Sequence, residues 1–190
     1  MTLEQVYSDV AAHMVEGLMV HEHLANYYDF LGLGGYKRCH EYYYLKECIE
    51  YRRLCRYYIN HHNKLIPEKR VNNPEIIPEG WYNHVRQDVD TSTKKEAVRT
   101  GLTKWVEWEA KTKRFYETMY KELMDLGEVA SACKIKELVL CADKELKKAQ
   151  RYWLNKEAVG YNMASIISEQ KCYHDKYKKK IKKEWSIHLC

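Results

Sequence analysis

Along most of this chain apolar residues return at alternating steps of three and four, the period of an amphipathic helix rather than a strand. Between residues 102 and 126 the repeat reads Leu102, Trp105, Glu109, Thr112, Tyr116, Met119, Leu123, Leu126, with a carboxylate in a slot that should face a core. Glycines and prolines divide the pattern into helices. The first opens on a capping box, Thr2 with Gln5 three residues later, and runs to the LGLGG stretch at 31–35. The second continues from YKRCHEYYY to about residue 64 without Gly or Pro. All three prolines, Pro67, Pro74 and Pro78, then fall in a connection over about 65–92 that has no sustained helical repeat. A third helix is predicted from near Thr93, with Glu96 completing another capping box, to near Gly127. A fourth covers about 128–158 and stops at Gly160, and the tail over about 161–187 is a candidate fifth helix. Nothing predicts strands.

Four helices of about 28 to 34 residues are each roughly 40–50 Å long. Two short turns and one long connection predict an all-α fold: an up-down-down-up four-helix bundle with one crossover and a C-terminal helical extension. An up-down-up-down bundle needs no long link. The chain reads as a single domain over 1–190, with the bundle over about 3–158.

The anomaly at Glu109 recurs on the other helices. On the first, the alternation Ala11, Val15, Leu18, Glu22, Ala25, Asp29 puts Glu22 inward. On the second, Tyr43, Glu47, Glu50, Leu54, Tyr57 and His61 put two acids there. On the fourth, Ile135, Leu138, Ala142, Glu145, Ala149 and Tyr152 include Glu145, which a competing stripe through Val139, Leu146 and Trp153 leaves at the edge. Glu109 and Glu145 each lie 18 residues from Gly127, so an antiparallel pair holds them at one level. Clustered inner acids repel one another and need protons, hydrogen bonds or cations. An oxygen-rich site suits hard or borderline metals such as iron or manganese.

The helix lengths, the long crossover and the stretches EHLANYYDFL (22–31), ECIEYRRLCRYYIN (47–60) and WEAKTKRFYETMYKEL (108–123) carry a resemblance. Over roughly residues 3–155 the chain resembles the ferritin-like superfamily, including ferritins and rubrerythrins. The resemblance implies a carboxylate-bridged di-iron centre with ferroxidase or oxygen-activating chemistry, built from Glu on the first and third helices and Glu-x-x-His on the second and fourth. By position Glu22 and Glu109 take the first- and third-helix places and Glu47 the second, but Glu50 stands where the family has His. Glu145 is followed three residues later by Lys148, and the nearby Asp143 by Leu146, so the fourth-helix imidazole is missing too. Two readings stay open. One is an iron or manganese centre on Glu22, Glu47, Glu50, Glu109 and Glu145 with oxidoreductase chemistry. The other is a metal-free, degenerate bundle acting as a structural or protein-interaction module, a lysine neutralising the fourth-helix acid.

Composition narrows the rest. Hydrophobic residues make up 45% and charged residues 31%, as in a folded protein, and no run of about 18 uncharged apolar residues predicts a membrane span. Acids in the N-terminal stretch argue against a signal peptide, and the chain reads as cytoplasmic. The seven cysteines are odd in number and form no CxxC pair, against a disulfide framework or zinc site; most read as small buried thiols. The net charge of +5 is concentrated in HDKYKKKIKKEW (174–185). Such a run serves solubility, an acidic partner or nucleic acid, and a homo-oligomer or protein partner is favoured over nucleic acid. The 17 tyrosines read as interhelical packing. HEH at 21–23 is not a chelating pair, and His61 is the histidine best placed to face inward. No GxGxxG, Walker loop, HExxH or GxSxG occurs, which counts against nucleotide binding and the common hydrolase plans.

Overall fold

The computed structural model describes the backbone of residues 1–188 and the side chains of residues 1–185. Five α-helices carry the fold: α1 (Leu3–Phe30), α2 (Gly34–His62), α3 (Thr91–Asp125), α4 (Val129–Ala158) and α5 (Met163–His188). Two short 3-10 turns, Glu79–Asn83 and Arg86–Asp88, lie in the connection between α2 and α3, and the described residues form no strand. None of these helices is long and apolar enough to cross a membrane.

The first helix starts as its sequence dictates, with Thr2 and Gln5 each bonding the other's backbone N–H. The start of α3 differs from expectation. It begins at Thr91, and the carboxylate of Asp90 accepts the Thr93 N–H at 2.6 Å. An aspartate brings charge as well as an acceptor to the positive end of a helix, so it displaces Thr93 as the cap. The tight turns after α1 and α3 pass through Gly32 (φ 72°) and Gly127 (φ 76°), left-handed positions that glycine adopts without steric cost.

These turns fold α2 back on α1 and α4 back on α3. Contacts between α1 and α3 run in opposite chain directions, from the Met1 amine beside Glu122, through Glu16 with Lys111, to Tyr28 packed on Gly101. The connection lies along α1. Lys64 pairs with Glu4, Ser8 donates to the Pro67 carbonyl at 2.8 Å, and Arg86 donates to the Asp29 carbonyl at 2.8 Å. The edge of Trp81 meets the rings of Tyr27 and Phe30, which anchors the far end of this segment. Residues 63–90 therefore have the length they need to return along the bundle.

The last helix, α5, packs on α2 and against the end of α4. Tyr177 meets Tyr42 and bonds the Tyr152 hydroxyl at 3.1 Å, while Lys156, almost wholly buried, pairs with Glu169. At the crossing, a Cβ on Gly35 would stand 2.4 Å from the Gln170 carbonyl oxygen, so only glycine allows this backbone approach.

The α3 stripe from Leu102 to Leu123 is buried throughout, and only its last member, Leu126, is exposed. On α1 the buried row is Val10, Met14, Gly17, His21, Leu24 and Tyr28, one residue out of phase with the expected row. That rotation of about 100° turns Glu22 to the solvent. Among the described cysteines only Cys39 is buried; Cys48, Cys55 and Cys141 are half-buried and Cys133 and Cys172 exposed, correcting the expectation of mostly buried thiols. Cys190 lies outside the described residues.

Candidate functional site

Two apolar clusters fill the bundle. Near the α1–α2 turn lie Leu24, Tyr28, Tyr36, Tyr43, Leu102 and Trp105; toward the other end lie Val6, Val10, Met14, Leu54, Leu123 and Ile135. The polar side chains at issue sit between them. Glu109, 4% exposed, Glu47, Glu50 and Glu145 line one small, partly open cavity of about 30 Å³ together with Lys46, Thr112, Tyr116 and Cys141. The volume admits a single water or small ion. Four of the five sequence-derived acids thus meet. Glu22 does not: it is exposed and accepts a bond from Asn26 on its own helix.

Each acid is neutralised in its own way. Glu109 accepts the indole N–H of Trp105 at 2.9 Å, one helical turn earlier. Burial nevertheless raises its carboxyl to about 8, and Glu47 and Glu145 add to the rise. Glu47 is raised to about 7, first by burial, against the pull of Lys46. At Glu145 burial also works upward, but Lys46, its ammonium 2.5 Å from Oε1, outweighs it and holds the carboxyl below its ordinary value. Glu50, at the cavity rim, accepts a bond from Arg53 at 2.6 Å. At neutral pH the layer therefore holds a largely protonated Glu109 and a Glu47 near its titration midpoint beside a Lys46–Glu145 ion pair.

Three buried histidines complete the layer, and sequence reasoning did not select them. His21 and His40 face each other with their Nδ1 atoms 3.1 Å apart, and His21 Nε2 stands 3.8 Å from Glu109 Oε1. His13 Nε2 bonds the Thr112 hydroxyl at 3.0 Å. Burial pushes His13 and His21 down to about 3 and His40 well below its ordinary value, so all three are neutral. One proton lies between His21 and His40. His40 Nε2 has no partner, and a bare lone pair there costs less than an orphan N–H. His40 accordingly donates through Nδ1, and His21 carries its own proton on Nε2, toward Glu109. The readable signal was the α1 phase: shifting the stripe by one residue replaces Glu22 with His21. His61, the histidine best placed by its spacing to face inward, is exposed and bonds the Tyr57 carbonyl.

The donor set does not match what a dinuclear centre needs. No imidazole lines the cavity, Lys46 does, and a second cation, Lys148, stands 4.0 Å from Glu145. Among the described residues no three carboxylate, imidazole or thiol groups are arranged to hold a metal ion. Comparison with protein-family models, with curated proteins and with solved structures gives no match for this chain.

Proposed function

We propose that this chain is a ferritin-like, up-down-down-up helical bundle that works without a metal centre, as a structural and protein-interaction module. The opposed contacts of α1 with α3, the antiparallel pairs and the connection along α1 support that topology. The observation that carries the metal-free reading is the Lys46–Glu145 pair. It puts an ammonium on the carboxylate in the fourth-helix ligand position, so that acid is satisfied without a metal. The hydrogen bond from Trp105 does related work at Glu109, occupying an oxygen that a bridging ligand would need.

A second reading, an iron or manganese centre with oxidoreductase chemistry, is favoured by the raised Glu47 and Glu109 carboxyls around a cavity of ion size. It requires Lys46 to leave Glu145. Elemental analysis separates the two. Protein purified without chelators, then offered iron(II) or manganese(II) anaerobically and desalted, is expected to hold metal at background, as is its Glu109→Gln variant. About one or two metal ions per chain, lost in the variant, overturns the proposal in favour of the second reading.

A further inference from the structure

Most of the chain's net charge lies on α5, which carries seven lysines against three acids. In a free basic amphipathic helix the apolar face is what enters a membrane or a partner's groove. Here that face is already used. Ile166 and Tyr177 are fully buried, and Gly35 brings α5 into backbone contact with α2. What α5 turns outward is mostly charge, with Ile167 and Trp185 the exposed large apolar side chains.

That charge continues onto α4. The ammonium groups of Lys148, Lys176 and Lys180 stand 5.2, 5.4 and 5.8 Å from the centre of the Tyr177 ring, joining the two helices in one basic seam. Lys148 is pushed below its ordinary value by burial, with Lys180 and Lys176 adding repulsion. Four residues before Lys148 and three after it, Lys144 and Arg151 are exposed on the same side of α4. Lys179 is exposed on α5. Among the described residues no carboxylate lies within ion-pair distance of Lys144, Arg151, Lys176 or Lys179. Farther along α5, on the flank that carries Lys178 and Lys182, Trp185 is 58% exposed.

We propose that this α4–α5 ridge binds single-stranded nucleic acid, its cations following the phosphates and Trp185 offering a ring for a base to stack on. The cations are strung along two helices at one-turn intervals of about 5–6 Å rather than gathered in a cleft. A compact anion touches few of them, whereas an extended polyanion uses the whole row. A strand that follows the cations and crosses the outer face of α5, past Lys179 and Lys182, reaches the ring of Trp185. Phosphate contacts combined with base stacking are the general chemistry of sequence-tolerant single-strand binding. The docked apolar face of α5 leaves little to insert into a bilayer. This inference goes beyond the protein-interaction reading to a nucleic-acid partner, and the ridge shares with the interior layer only Lys148, 4.0 Å from Glu145. The elemental analysis above reports on the interior independently.

The test is fluorescence anisotropy of labelled oligo-dT and oligo-U, about 20 nucleotides long, with the full chain over a salt series. Binding is expected to weaken linearly in log–log form, with a slope near −3 if about four phosphates are neutralised. The combined Lys144→Glu, Arg151→Glu, Lys179→Glu variant should bind about tenfold or more weakly while keeping the wild-type circular dichroism. Trp185→Ala, which leaves the charge unchanged, should lose about fivefold or more. Absence of binding at low salt, equal binding by both variants, or capture by phosphatidylserine vesicles that the oligonucleotide fails to displace overturns the proposal.

Discussion

The two ends of this bundle solve the packing problem differently. The end beneath α5 is built of rings: Tyr27, Tyr28, Tyr36, Tyr43, Trp105 and Tyr177 stack or meet edge to face, with His40 among them. The other end relies on Val6, Val10, Met14, Leu54, Met119, Leu123, Ile135 and Leu138, with fewer rings. Aliphatic side chains fill space between four helices without needing partners. Rings bring area together with hydroxyl and imidazole groups that must be satisfied or left neutral. The fifth helix covers the end where that polarity is concentrated. The acid and histidine layer lies where the two packing regimes meet.

The largest effect should come from separating α5 from the aromatic end. Gly35→Leu drives a side chain into the Gln170 backbone and is expected to cost at least about 3 kcal/mol, with α5 becoming the first site of tryptic cleavage. The aliphatic end should keep its helices. An unchanged melting temperature would mean that the two helices do not approach as described.

Next comes the ion pair of the dividing layer. Lys46→Met leaves Glu145 without its principal cation and should destabilise by about 2 kcal/mol, a figure discounted because the pair is partly exposed. Adding Glu145→Met should recover most of that loss in denaturant titration. Failure to recover would show that packing of the lysine stem, rather than charge, was lost.

The smallest effect is on the shape of the pH profile. Glu47 and Glu109 are raised to about 7 and about 8 from 4.5, so their share of stability is complete at low pH and is lost as pH rises through those values. His13 and His21 are lowered to about 3 from 6.5, so their share is present above 6.5 and is lost as pH falls toward 3. Stability should peak at mildly acidic to neutral pH and fall on both sides. Glu109→Gln keeps an acceptor for Trp105 and removes the ionisation, so between about pH 7 and 9 it should fall less steeply than wild type, gaining about 1–2 kcal/mol. Identical alkaline limbs would remove Glu109 as the source.

Much of this organisation was legible in the sequence. The helices, the length of the connection and the levels of Glu109 and Glu145 follow from periodicity and from counting residues to Gly127. The α3 stripe was clean because its outer face is almost uniformly polar. On α1 both neighbouring rows contain apolar residues, so periodicity alone could not choose between a row with Glu22 and one with His21. Lys46 was not legible as the neutralising cation, since it comes from α2 and meets Glu145 only through tertiary packing. The Asp90 cap was hidden by a plausible Thr93–Glu96 pattern that begins three residues later.

The central claim is that the inner acids are neutralised by protons and lysine, and its most direct test is the protonation of Glu109 in metal-free protein. An infrared difference spectrum, wild type minus Glu109→Gln, can be followed from about pH 5 to about pH 10 for the carbonyl stretch of a protonated carboxylic acid. The account predicts that this band is present at neutral pH and disappears as pH rises through about 8. A carboxylate signal already complete at pH 6 would contradict it.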